Sequence, residues 1–190
     1  MPELIDDPAD PRLGDYVALS DPDHRRAGEI YIVEGEIALR RVVASGARFR
    51  SVLVSEKKVA RLSDLRLDAP TLVVGQRALD ALVGYHLHRG VVAAAFRPPP
   101  LDPVSLLGTP RIAVLEDLTD HENLGVIFRS AAALGVGAIL LSPRCCDPYY
   151  RRAVRVSQGN VAAVPFATLE PWPSGLAMLR ENGYSLVALT

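Results

Sequence analysis

One stretch of this 190-residue chain, DHENLGVIFRSAAALG at residues 120–135, sets an acid, an amide and an arginine at fixed spacing. Asp120, Glu122 and Asn123 stand where a strand gives way to a helix. There an Asn side chain can accept from helix amides that lack a partner in their own turn. Leu124, Ile127, Phe128, Ala131 and Leu134 recur at helical spacing as an apolar stripe, and Gly125 leaves room for a second backbone. Arg129 lies at the edge of that stripe. Two readings of it stand side by side: a surface arginine whose stem snorkels along apolar neighbours, and a catalytic arginine.

Other residues with chemical potential are few. His86 and His88 in YHLHRG are two apart, so on a strand they share a face; with no third ligand they do not read as a metal pair. Cys145 and Cys146 are the only cysteines. Neighbouring cysteines rarely bond to each other and two thiols alone make no zinc site. They read as small core or loop residues in a reducing, cytoplasmic setting. In DPYYRRAVR, Tyr149, Tyr150, Arg151, Arg152 and Arg155 lie close together. They suit either base stacking and phosphate contact or a half-buried helix face. The GVG at 135–137 lacks the third glycine of a dinucleotide fingerprint.

The net charge of −1 conceals an asymmetry. Residues 1–23 carry seven acids and one arginine, whereas residues 24–97 carry thirteen Lys/Arg and seven acids. A basic middle suits a phosphate backbone, and a solvated surface with an acidic tail accounts for it equally. Nineteen of the twenty-one cations are arginine, the residue suited to bidentate phosphate contact. The pairs Arg25–Arg26, Arg40–Arg41 and Lys57–Lys58 are open to either reading. No run of eighteen apolar residues suggests a membrane span, and the acidic start does not read as a secretory signal.

The elements that must position these residues alternate regularly. EIYIV, RSVLVS, PTLVVG and GVVAAAF read as strands. GEIALRRVVASG, EKKVARLSDL and QRALDALVG read as the helices between them, with Gly46 as a left-handed stop and Ser55 as a cap. RPPPLDP, residues 97–103, holds four prolines in seven residues and reads as a semi-rigid linker. Beyond it, RIAVLEDL, GAILLS, NVAAVPFA and YSLVAL read as strands. The helices there are the 120–135 stretch, PYYRRAVRVSQ and PSGLAMLRENG. Short apolar strands separated by helices predict parallel sheets covered on both faces. The chain therefore divides into two α/β domains, residues 1–100 with an acidic tail over 1–14, and residues 104–190.

DHENLGVIFRSAAALGVGAILLS resembles the first motif of the SpoU family, within the SPOUT superfamily of knotted RNA methyltransferases. Asp120, Asn123, Gly125 and Arg129 match its D-x-x-N-x-G-x-x-x-R pattern position by position. RRAVRVSQGNVAAVPF is similar to the family's R-x-S-x-G segment through Arg155, Ser157, Gly159 and Pro165. The closing ALT resembles the strand end whose leucine lines the adenosyl pocket. VEGEIALRRVV, VLVSE and HLHRGVVA are similar to the ribosomal-protein-like RNA-binding domain that precedes many catalytic SpoU domains.

The resemblance implies an N-terminal ribosomal-protein-like α/β domain that binds structured RNA, ribosomal or transfer. A SPOUT-type trefoil-knot methyltransferase domain with a parallel sheet comes after it. It implies S-adenosylmethionine as cofactor, held in part by Leu189 and Thr190, and methyl transfer to a ribose 2′-hydroxyl without a metal. Arg129 becomes the catalytic residue, with Asn123 positioning it or the substrate. A guanidinium is essentially always protonated, so the expected role is to hold phosphate and stabilise the developing alkoxide. Arg40, Arg41, His88, Arg89, Arg152 and Arg155 are the expected RNA contacts. The family's Gly-x-Glu-x-x-Gly loop and Ser-Leu-Asn segment have no counterpart in the sequence. The resemblance thus implies an incomplete catalytic domain lacking about 70–80 residues, inactive as it stands and homodimeric when intact. The alternative is a non-catalytic RNA-binding protein that keeps the docking domain.

Overall fold

The computed structural model describes residues 2–19 and 28–188. Five strands build the first sheet: β1 (Glu3–Leu4), β2 (Ile30–Glu34), β3 (Phe49–Ser55), β4 (Thr71–Val74) and β5 (Val91–Phe96), in the order β1-β4-β3-β5-β2. β1, β4 and β3 run parallel, while β5 lies antiparallel to both β3 and β2. The first sheet is therefore mixed, which corrects the expectation of a parallel one. Unbroken apolar runs such as VVAAAF report burial on both faces, and that burial does not depend on strand direction.

Alternate residues of these strands feed two cores. Ile30, Ile32, Leu53, Leu72 and Val92 face one side, where Leu79 and Val83 of helix α2 (Gln76–Val83) meet Leu13 and Tyr16. Tyr31, Val33, Val52, Val54 and Ala93 face the other. There they join Ala38, Leu39 and Val42 of helix α1 (Glu36–Ala44). That second core does not stop at the proline-rich segment. It continues through Leu124, Phe128, Ile139, Val154 and Val161, so the two halves of the chain share one apolar interior.

The second half carries a three-stranded sheet, β6 (Ile112–Leu115), β7 (Ala138–Leu141) and β8 (Phe166–Thr168), parallel throughout in that order. Helix α3 (His121–Ala133) follows β6, α4 (Arg151–Val156) follows β7, and α5 (Ala177–Glu181) follows β8. Three expected elements differ. Residues 56–62 form a 3-10 helix that Ser55 does not cap, because its buried hydroxyl faces Gly90 instead. NVAAVPFA splits into a 3-10 turn at Asn160–Ala162 and the short β8, since the Asn160 side chain donates to the Ser157 carbonyl at 2.8 Å and holds the turn. Residues 184–188 form no strand. Tyr184 is tied through its hydroxyl to the Thr109 carbonyl at 2.7 Å, and Val187 beyond it is 82% exposed.

Candidate active site and nucleic-acid interface

Helix α3 starts where Asp120 accepts from the Asn123 amide at 2.7 Å. The cap is therefore Asp120; Asn123 sits inside the first turn with its side chain exposed. Leu124, Phe128 and Ala131 are buried, which fixes the helix against the core and turns the next residue, Arg129, outward. Gly125 is required by a close approach: a β-carbon there would come within 2.7 Å of the Ala153 carbonyl oxygen. This contact seats α4 directly on α3, as the glycine in the motif suggests.

Arg129 opens onto a cleft of about 410 Å³ between the two halves of the chain. Arg155 reaches the same cleft from α4, and His86, His88 and Arg89 reach it from the segment before β5. Arg89 crosses Gly35, where a β-carbon would stand 2.5 Å from its Cδ, so the glycine lets the side chain lie flat on the backbone. The His86 and His88 rings meet edge to face at 4.0 Å. His86 Nδ1 lies 2.5 Å from the Asp80 carboxylate. Burial pushes the Asp80 carboxyl up, but hydrogen bonds from His86, the Leu87 amide and Gln76 outweigh it and leave the group below its usual range. Arg89, Arg129 and Arg155 make no ion pair among the described residues, so their charge is available to an anion.

The remaining expected contacts lie elsewhere. Arg40 is spent on Asp64 at 2.7 Å, Glu36 at 3.1 Å and the Arg61 carbonyl. Arg41 donates to the Gln158 carbonyl at 2.9 Å, a bond that ties α1 to the second half. Arg152 faces Glu122 at 3.7 Å. Leu189, Thr190, Arg25 and Arg26 lie outside the described residues. Tyr149 is a packing residue, its ring 4.6 Å from Tyr31 and 5.3 Å from Phe166, with burial pushing its phenol up to about 12. Among the described residues no three metal-ligating side chains cluster.

A second cavity of about 600 Å³ opens at the carboxyl ends of β7 and β8, where parallel α/β sheets place their ligands. Tyr149, Phe166 and the prolines of residues 98–100 give it an apolar lining, with Asp147 and Thr168 among its polar groups. Asp147 is paired with Arg97 at 2.6 Å. Ser142, at the end of β7, donates to Asp117. Cys145 and Cys146 also line this cavity, half-buried. No described residue lines both cavities. Helix α3 touches both: Phe128 packs edge to face on Phe166 of the cavity lining at 5.4 Å, and Arg129, about 100° further round the helix, lines the cleft.

Glu34 and Tyr85 complete the cleft's lining, with Arg151 bonded to both, and the motifs did not single out the first two. The signal for Glu34 was present, since IYIVE is apolar up to its final acid and a strand buried over its whole length must bury that acid as well.

Residues 110–190 match the family described as the SpoU rRNA Methylase family. The chain is 40% identical over 191 residues to a Mycobacterium tuberculosis protein named as an uncharacterized tRNA/rRNA methyltransferase; the match covers 97% of this chain and 66% of that one. An rRNA methyltransferase from Sinorhizobium meliloti, solved with AdoMet bound, superposes with a TM-score of 0.69 at 22% identity, over 88% of this chain and 64% of that one. A solved RNA 2′-O ribose methyltransferase gives 0.72 at 24% identity, over 96% and 70%. The parallel sheet and the helix that presents Arg129 thus define an α/β protein of the methyltransferase fold seen in those structures. The chain belongs to the SpoU family of RNA methyltransferases. It spans 66%, just under two thirds, of the length of that Mycobacterium tuberculosis relative.

Proposed function

We propose that the protein transfers a methyl group from S-adenosylmethionine to a ribose 2′-hydroxyl of ribosomal or transfer RNA, acting as a cytoplasmic homodimer. The observation that carries this reading is the cleft, where the motif arginine of the second half meets His88 and Arg89 of the first. A backbone phosphate beside the target ribose would be held by Arg89 and Arg155, both exposed donors with a planar fork suited to phosphate. Arg129 would donate to the same phosphate and to the 2′-oxygen as negative charge develops there. Asn123, six residues and about 1.7 turns earlier on α3, would orient the substrate. The homodimer is supported by the family resemblance and by Val126 on α3 and Leu134 at its C-terminal cap, which stand 51% and 67% exposed.

S-adenosylmethionine, when bound, supplies an electrophilic methyl on a sulfonium. The cavity at the ends of β7 and β8 fits its adenosyl part in volume and in aromatic and apolar lining. Tyr149 and Phe166 would flank the base, while Thr168 and the loop at 142–146 would close over it. A second reading, RNA binding without transfer, rests on the cavity and the cleft sharing no lining residue among those described.

The test incubates the full-length protein with S-adenosylmethionine and bacterial ribosomal RNA or, separately, transfer RNA. Digested nucleosides are then analysed by mass spectrometry for 2′-O-methylribose. New 2′-O-methylnucleoside in one RNA class supports the proposal. Methylation on a base refutes the ribose assignment. Bound RNA with no methyl transferred establishes the second reading.

A further inference from the structure

Glu34, Tyr85 and Arg151 come from three distant parts of the chain and close on one another. Glu34 ends β2 with its side chain 4% exposed. Its Oε1 accepts from Arg151 Nη1 at 2.6 Å and from the Tyr85 hydroxyl at 2.9 Å. Arg151 Nη1 also donates to the Tyr85 oxygen at 3.0 Å, and the guanidinium lies over the Tyr85 ring, 5.2 Å from its centroid. Burial, reinforced by the nearby Glu34, pushes the Tyr85 phenol above its ordinary range, so it keeps the proton it donates.

The three positions matter because of their neighbours along the chain. Gly35, after Glu34, is the surface on which Arg89 lies. Tyr85 leads directly into His86, His88 and Arg89. Arg151 opens α4 and stands one turn before Arg155. The same helix presses on α3 through Ala153 and Gly125, and α3 carries Arg129. Every segment that lends a charged group to the cleft is therefore anchored at or beside this three-way contact. A buried ion pair is seldom worth much stability against an apolar replacement of the same volume. What it does supply is a fixed geometry, because each oxygen and donor has one place to be.

We propose that Glu34 is a positioning residue. By holding Tyr85 and Arg151 together it sets the distance between the docking-side groups His88 and Arg89 and the reacting-side groups Arg129 and Arg155. It acts through these groups and need not touch RNA. Its effect on transfer rests on the proposed methyltransferase reading; its effect on the geometry of the cleft does not.

The experiment compares full-length wild type with Glu34→Gln and Tyr85→Phe. Tyr85→Phe is the milder change and decides the matter if Glu34→Gln fails to fold. Two readouts are taken: amide hydrogen exchange over residues 85–90 and 151–156, and single-turnover methyl transfer at saturating ribosomal RNA beside RNA affinity at fixed salt. In both variants the two segments should exchange about tenfold faster together. Transfer at saturating RNA should fall by roughly tenfold or more, as small misplacements of a reacting group do. Affinity should stay within about twofold, because the phosphate-binding charges remain. Unchanged exchange in both segments would overturn the proposal, as would a full transfer rate in variants whose segments have loosened. Should wild type transfer no methyl group, the proposed activity fails by itself and the exchange measurement alone decides whether Glu34 pins the cleft.

Discussion

The cleft and the cavity share no described lining residue and are assembled in opposite ways. The cavity at the ends of β7 and β8 draws on residues 97–101 and 141–168, is mostly apolar, and has its acid Asp147 already neutralised by Arg97. The cleft draws on three remote segments around residues 34, 85–89 and 129–158, and its three lining arginines have no acid partner among the described residues. One space suits a flat, largely apolar group; the other suits an anion too large to enclose. On the proposed reading the first takes a small molecule and the second a polymer.

The most severe way to break that arrangement is to remove the packing that joins α3 to the cavity lining. Phe128 is fully buried and packs on Phe166, so Phe128→Ala should cost about 3–5 kcal/mol through lost burial and the void left behind. Urea denaturation reads this as a fall in midpoint with little change in slope. A smaller, chemical change addresses the cleft alone. Arg129→Lys keeps the charge and loses the planar fork. It should reduce methyl transfer by roughly 10²-fold, the scale of removing one donor from a developing oxyanion, while RNA affinity holds. Full transfer by that variant would return Arg129 to the class of snorkelling surface arginines.

Gly125→Ala probes the seam between α3 and α4. Its new methyl would meet the Ala153 carbonyl at 2.7 Å and the Val156 Cβ at 3.1 Å, so a loss of about 1–3 kcal/mol is expected from overpacking. Thermal unfolding checks it, and an unchanged midpoint would mean that the helices can part freely. The cavity side is probed most gently through its thiols. Burial, with a contribution from Cys145, pushes the Cys146 thiol up to about 11. The folded group stays neutral where an unfolded cysteine has begun to ionise, so this contribution to stability is lost as pH rises above about 8.5. The thiolate is the reactive form, and Cys146 in the native protein at pH 8.5 should alkylate roughly a hundredfold more slowly than in denaturant. Peptide mapping after iodoacetamide treatment distinguishes it from Cys145; equal rates in the two states would show the cavity wall to be open.

Local signals in the sequence were legible where the determinant is local. The helices at 36–44, 76–83 and 121–133 announced themselves through apolar spacing and glycine stops, and the close approach at Gly125 followed from its place in the stripe. The antiparallel run of β5 was hidden because burial on both faces erases the alternation that would betray direction. The segment at 185–188 misled for a related reason: SLVA is apolar enough for a strand, but Tyr184 before it is committed to Thr109 and no strand forms there. At the site, His88, Arg89, Arg129 and Arg155 were named from motif and charge, and the fold gathers them in one cleft. Arg40 and Arg152 carry the same charge in sequence, yet their acids Asp64 and Glu122 engage them once the chain is folded. Asp64 lies twenty-four residues from Arg40, beyond any local pattern. The Glu34–Tyr85–Arg151 contact joins positions more than fifty residues apart and exists only in three dimensions.

The central claim is that the arginines of the cleft hold RNA phosphate. The most direct measurement is the salt dependence of binding to a short RNA hairpin, for the wild-type protein and for Arg89→Ala, Arg129→Ala and Arg155→Ala combined. The slope of log affinity against log salt should fall in magnitude by about 2–3, close to one for each phosphate contact removed. An unchanged slope, with affinity intact across the salt range, would show that RNA binds elsewhere and would contradict it.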